Sequence, residues 1–306
     1  MSDWFKPAGT SGDNEFDVVI RPGQTAGWEH TGLLVTDLAA GESRTVDTEE
    51  FEFIALPLHG AATVEVTANG QTTSHELEGR ASVFSGPTDS VYVPRDAKFT
   101  LTSTDGGRYA FSFATANEAC PVVKIEKSAV AVEMRGAGQS SRQVQNFGTP
   151  AALDADSIIA CEVITPAGNW SSYPPHKHDE ERDGVETHLE EIYYFEMRVE
   201  PGHPGAPSGD DADPIGYQRV YGTDDRPIDI AEEVRSRDVV LVPHGWHGPS
   251  MAPTGYDMYY LNVMAGPGEE RAWLICDDPR HGWVRGTWND QQVDPRLPIH
   301  EPKEAL

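Results

Sequence analysis

Only three of the 306 residues are cysteine, and Cys120, Cys161 and Cys276 stand far apart with no Cys-x-x-Cys spacing. A chain of this length buries enough core to fold without covalent staples, so a reduced, cytoplasmic setting is the expectation. Basic residues are also scarce: 23 Lys and Arg against 50 Asp and Glu give a formal net charge of -27. A field of that sign repels nucleic acid and anionic lipid, which argues against a nucleic-acid partner. It repels an anionic small molecule as well, so such a substrate needs a local cluster of Arg or Lys. Long apolar runs are missing too. No segment reaches the roughly 20 apolar residues of a membrane helix, and "MSDWFKPAGTSGDNEFDVVI" has neither a basic nor an apolar leader region, so no membrane association is expected.

Helical periodicity is the next thing the chain lacks. What it has are short runs of β-branched and aromatic residues, punctuated by 29 Gly and 23 Pro. Strands are expected at "FDVVIR" (16–21), "GLLVTDL" (32–38), "EFIALPLHG" (52–60), "ATVEVTA" (62–68), "DSVYVP" (89–94), "KFTLTST" (98–104) and "RYAFSFA" (108–114). A second series runs "SIIACEVITP" (157–166), "EEIYYFEMRV" (190–199), "GYQRVYG" (216–222), "DVVLVP" (238–243), "DMYYLNVMAG" (257–266) and "RAWLICDD" (271–278). Two such series predict an all-β chain of two β-sandwich or barrel lobes. A weak repeat supports the division: "SVYVPRDAKFTLTS" (90–103) and "VVLVPHGWHGPSMAP" (240–253) both run through Val-Pro into a polar turn. The expected organisation is an N-terminal lobe over 1–130, a linker or crossing arm over 131–156, and a C-terminal lobe over 157–306. Arg135 and Arg142 on the arm need not be idle, since an arm folded across a lobe can reach a site.

Six of the eleven histidines, His176, His178, His188, His203, His244 and His247, fall in one stretch of the second lobe. The first lobe has only His30, His59 and His75, with no pair at ligand spacing. In an extended strand, residues two apart share a face, so His176 and His178 can aim at one point while Lys177 turns away. Tyr173, Pro174 and Pro175 stiffen the approach. On "EEIYYFEM", alternation sets Glu191, Tyr193 and Phe195 on one face and Glu190, Ile192 and Tyr194 on the other. An inward carboxylate among aromatics is costly unless paired or metal-bound, which makes Glu191 the expected third ligand. His244 or His247, just past Val-Pro, supplies the fourth. Such a set suits one divalent ion of Zn, Mn, Fe, Ni or Co.

The order His-x-His, Glu, then His after a Pro-Gly-containing turn resembles the cupin superfamily. The phrases "SSYPPHKHD", "LEEIYYFE", "GYQRVYG", "DVVLVPHGWHGP" and "GYDMYYLNVMAGP" look like the 5-deoxy-glucuronate isomerases of myo-inositol catabolism, and "GRASVFSGPTDSVYVP" extends the likeness into the first lobe. The resemblance implies a bicupin of two jelly-roll lobes with one metal site in the second. It implies an aldose-ketose isomerisation of 5-deoxy-D-glucuronate to 5-dehydro-2-deoxy-D-gluconate. By the cupin pattern His176, His178, Glu191 and His247 take the ligand places. The intervening "DEERDGVETHLE" is longer than such loops usually are and leaves Glu181 and Asp183 as rivals, with His244 the rival of His247. Other readings are another metal cupin, a uronate isomerase or a dioxygenase, and a non-catalytic sugar-binding bicupin.

An isomerase of this kind needs a base near the carbon that loses its proton, and Glu186, His188 and Glu190 are the candidates in the loop before the strand. Tyr193 and Tyr260 are candidate proton donors to oxygen. The carboxylate of a small sugar-acid substrate needs a cation, available from Lys177, Arg182, Arg219 or Arg142. Arg219, flanked by Tyr217 and Tyr221, is favoured for rigid bidentate pairing. The first lobe is left for packing and contacts in a homo-oligomer.

Overall fold

The computed structural model describes residues 3–207 and 211–299. Among them the regular structure is almost entirely strand, with one α-helical turn at Val284–Thr287 and short 3-10 turns, and none forms a helix long and apolar enough to cross a membrane. In the first lobe the strand Phe51–Ala68 is the spine. Its first half pairs with Ser90–Val93 and Gly107–Thr115, and its second half with Gln71–Arg80 and Ala97–Ser103. Sequence punctuation at His59 and Gly60 predicts two strands there. The chain instead passes through a register shift between Gly60 and Ala62, where Gly60 takes φ +89°. Glycine bends the strand from one face of the lobe to the other without ending it.

The second lobe is two facing sheets. One has the order Phe5–Lys6, Val239–Val242, Glu190–Val199, Tyr256–Ala265, Ile159–Thr165, Arg142–Gly148, Ala131–Arg135. The other runs Asp229–Val234, Gly216–Tyr221, Trp246–Met251, His176–Lys177, Cys276–Asp277. Two features depart from a simple division by sequence. Phe5–Lys6 pairs with Val239–Val242 of the second lobe, and residues within 131–156 form two antiparallel strands of the second lobe's sheet, Ala131–Arg135 at its edge and Arg142–Gly148 just inside it. "RAWLICDD" is strand only at Cys276–Asp277.

Period-two alternation on each strand divides the apolar residues among three cores. Phe53, Phe99, Phe111 and Phe113 fill the first lobe. Tyr193, Phe195, Tyr260 and Met264 line the interior of the second. Ile54, Leu56 and Tyr92 from one side and Ile192, Tyr194, Leu241 and Val263 from the other form the layer between lobes. The lobes are pseudo-equivalent in register: Phe53 pairs with Val93 ahead of Pro94, as Glu191 pairs with Val242 ahead of Pro243. Phe53 thus occupies the first-lobe counterpart of Glu191, stacked on Phe113 at 4.7 Å between ring centroids. Aromatic rings fill the space that the second lobe leaves open.

The preceding residues make a reciprocal clasp. Glu52 accepts backbone N–H bonds from Asp156, Ser157 and Ile158 of the second lobe at 3.0, 2.6 and 2.6 Å. Glu190 accepts them from Glu29, His30 and Thr31 of the first at 3.0, 2.6 and 2.6 Å.

Candidate metal centre and cavity

His176, His178 and His247 come together at the floor of the second lobe, each buried, with ligand atoms all within 4.8 Å of one another. Sheet register produces this, since His176 is the direct cross-strand partner of His247. The turn that delivers His247 depends on Gly245 at φ +92°. Its N–H donates to Asp179 Oδ2 at 2.8 Å and its carbonyl faces His247 Nδ1 at 3.2 Å. A Cβ there would meet the Tyr221 carbonyl at 2.8 Å, so glycine is required on both conformational and steric grounds.

All three imidazoles have Nδ1 against a backbone carbonyl: Pro174 at 3.3 Å, Leu189 at 3.1 Å and Gly245 at 3.2 Å. A proton held on Nδ1 leaves each Nε2 as the donor atom toward the common point, the arrangement in which histidines bind metal. Glu191, 2 % exposed, puts Oε2 3.1 Å from Nε2 of both His178 and His247. His247 Nε2 is buried and, despite that proximity, lacks the alignment of a hydrogen bond. An orphaned buried nitrogen beside two more imidazoles and a carboxylate is a donor set that fits a divalent cation.

The electrostatics agree. Burial and then the neighbouring His247 and His178 hold the pKa of His176 well below the ordinary value, so it stays neutral. Burial also opposes charge on His178, but its hydrogen bond to Glu191 and that carboxylate's charge raise its pKa overall. Burial would raise Glu191, yet its two imidazole partners bring it to about 2.

Above the cluster is a cavity of about 320 Å³ lined by His176, Glu191, Ser172, Tyr193, Tyr260 and Asn262, with Glu133, Arg135, Arg142, Trp273 and Arg285 around it. Ser172 Oγ lies 3.1 Å from the Tyr193 hydroxyl and 3.2 Å from that of Tyr260. Burial pushes Tyr260 up to about 12 and, with the charge of Glu191, holds Tyr193 well above the ordinary phenol. Both hydroxyls therefore keep their protons at neutral pH.

Several residues singled out from the sequence are elsewhere. Glu190 does not face the cavity, because alternation turns it to the interlobe face, where first-lobe amides hold it. Glu186 is buried beneath the cluster, between Lys177 at 2.8 Å, the Asp179 amide at 2.8 Å and Arg182. "DEERDGVETHLE" is a β-hairpin, Asp179–Arg182 with Glu186–His188, and its acids point away from the open space. Arg219 shares the outward face with Tyr217 and Tyr221, pairs with Asp229 and bonds the Val220 and Ile230 carbonyls. Lys177 and Arg182 are tied to Glu186. Of the four cations considered, only Arg142 lines the cavity. Glu181 bonds the His188 amide, Asp183 is exposed, and His244 is absent from the cluster. The sequence reading passed over Arg285, Ser172 and Asn262. Arg285 lies in the last stretch before the C-terminus, and no local spacing signals its return over the site.

Comparison with known proteins places this geometry. Residues 4–284 match the model of the KduI/IolB family. The 5-deoxy-glucuronate isomerase of Geobacillus kaustophilus is 40% identical over 275 residues, 90% of this chain and 92% of that protein. That of Bacillus subtilis strain 168 is 39% identical over 251 residues, 82% and 86% of the two chains. The crystal structure of an IolB-like protein from Salmonella typhimurium LT2 superposes with TM-score 0.80 at 36% identity, covering 92% of this chain and 99% of that one. The oxalate decarboxylase of Lactobacillus farciminis superposes with TM-score 0.62 at 10% identity over 90% and 89% of the chains, a likeness of fold alone. The fold is a bicupin.

Proposed function

The chain belongs to the KduI/IolB family, and on that premise we propose that it is a metal-dependent aldose-ketose isomerase converting 5-deoxy-D-glucuronate into 5-dehydro-2-deoxy-D-gluconate in inositol catabolism. The observation that carries the reading is the convergence of three Nδ1-anchored imidazoles and Glu191 on the floor of a cavity walled by arginine and tyrosine. His176, His178, Glu191 and His247 would hold the ion. When bound it would act as a Lewis acid toward adjacent carbonyl and hydroxyl oxygens, a role that zinc, manganese, iron, nickel and cobalt can each fill.

The reaction removes a proton from the carbon beside the aldehyde, returns one to the aldehyde carbon, and shifts a hydroxyl proton between the two oxygens. Tyr260 is placed for the oxygen side of this exchange, since it keeps its proton at neutral pH and shares Ser172 with Tyr193. Ser172, within hydrogen-bond reach of both hydroxyls, would let a proton lent by one phenol be replaced by way of the serine. The rings of Tyr193 and Tyr260 on the cavity wall, 5.0 Å apart between centroids, would limit bulk water at the reacting carbons. A cytoplasmic location and self-association belong to the same reading, and fractionation and light scattering would check them.

The test is turnover of 5-deoxy-D-glucuronate by the purified chain, with metal content measured before and after chelation. Activity should follow metal content. Replacing His178 by Ala should abolish both, and replacing Glu181 by Ala should leave metal in place. A metal-free chain with full activity would refute the reading.

A further inference from the structure

The cavity wall carries three guanidinium groups in a protein of formal net charge -27. Their partners tell them apart. Arg135 is gripped by both carboxylate oxygens of Glu133 at 2.8 and 3.1 Å, and Arg285 by both oxygens of Asp277. Arg142 is 6% exposed, and among the described residues its hydrogen bonding is from Nη1 to the Ser140 carbonyl at 3.1 Å, with no ion pair. A guanidinium offers five donors in a planar fork, so most of Arg142's capacity is unspent among the described residues.

Its cross-strand neighbour is also a cation. Arg142 and Arg135 are direct cross-strand partners, and like charges in that relation oppose folding. Glu133 hydrogen-bonds Arg135 and reaches Arg142 only as a charge at longer range. The ring of Trp288 lies 5.6 Å from the Arg142 guanidinium and 5.2 Å from that of Arg285, which fixes the plane of the fork. Burial lowers the pKa of Arg142 to about 10, with Tyr260 first among the groups opposing the fall, so the group stays charged at neutral pH.

We infer that Arg142 seats the carboxylate of the sugar-acid substrate and makes the enzyme select a uronate over a neutral aldose. The inference rests on the isomerase reading for the identity of that acid. His176, Glu191 and Arg142 line one cavity, so an extended open-chain sugar acid would present its carbonyl end to the histidine cluster and its acid end to the fork. Bidentate pairing also answers the charge problem, because one local cation overrides a repulsive field only where it is desolvated and aligned.

The experiment uses the full chain and two variants, Arg142→Gln and Arg142→Lys, with metal content and thermal melting recorded for each. Steady-state kinetics on 5-deoxy-D-glucuronate should show KM raised about 10- to 100-fold in Arg142→Gln, with kcat changed less and metal content unaltered. Arg142→Lys should recover only part of this, because a point charge does not reproduce the fork. Calorimetric titration with D-gluconate, which is not isomerised, against neutral D-glucitol reads the acid preference without turnover. The wild type should prefer the acid at least about tenfold, and Arg142→Gln should lose that preference. A wild type that prefers gluconate through Arg142 yet fails to turn over the uronate would overturn the reaction and keep the anion site. Unchanged KM and unchanged gluconate preference in both folded variants would overturn the inference.

Discussion

At the scale of single residues, the two tyrosines divide by position. Tyr260 is 2% exposed, within hydrogen-bond reach of Ser172, and on the wall that faces the histidine cluster. Replacing it by Phe removes one hydroxyl and little volume. We expect kcat to fall about 10²- to 10⁴-fold, the range for loss of a positioned proton donor, with metal content and melting temperature nearly unchanged. Stopped turnover with normal metal loading would separate this from damage to the ion site, and undiminished kcat would remove Tyr260 from the reaction. The same scale exposes an inconsistency in reading Glu190 as a base. Alternation that sends Glu191 inward sends Glu190 outward, so the argument for one carboxylate excludes the other. Arg219 follows the same rule, because Tyr217 and Tyr221, meant to brace it, mark the outward face.

At the scale of elements, the strand Glu190–Val199 was legible residue for residue, since β-branched and aromatic side chains bury both of its faces. The convergence of the candidate ligands was legible for a related reason. His-x-His, an inward Glu and a Gly-containing turn are each required by strand geometry, and that geometry brings them together. The strands Ala131–Arg135 and Arg142–Gly148 were not legible as strands. Glu133, Arg135 and Arg142 line the cavity while Gln143 and Gln145 are buried away from it, so polar residues fall on both faces and the alternation that marks a half-buried strand is missing. The cavity's cations come from those elements and from the chain beyond Asp277, which is why the charge requirement was foreseeable and its location was not. One prediction belongs here. Glu190→Gln weakens a charged acceptor of three backbone amides, and it should lower unfolding free energy by about 1–3 kcal/mol while leaving KM unaltered. Denaturant titration beside kinetics checks it. A selective loss of kcat at full stability would return Glu190 to the chemistry.

At the scale of the whole molecule, the lobes meet through apolar layers that also carry charge. Arg80 of the first lobe is paired with Glu162 of the second, both almost wholly buried, and Tyr259 donates to the same carboxylate at 2.6 Å. Arg108 reaches Glu196 across the boundary at 2.5 Å, and Tyr194 shares that acceptor at 2.7 Å. Removing one member of a buried pair strands the other, so Arg80→Met should cost about 3–5 kcal/mol by urea unfolding, and adding Glu162→Leu should restore much of it. Additive losses in the double variant would show that the pair is not coupled. The clasp of Glu52 and Glu190 extends this logic. Each lobe opens its spine strand with an acid whose amide partners belong to the other, so neither half carries its own counterpart. The first lobe has phenylalanines where the second has its candidate centre, yet trimming it away would strip Glu190 of its amide donors and leave Glu162 and Glu196 with a single phenol each on a greasy face. A lobe without a histidine cluster would be free to shrink if it only packed against its neighbour, and interlocked acids turn it into an indispensable tenant.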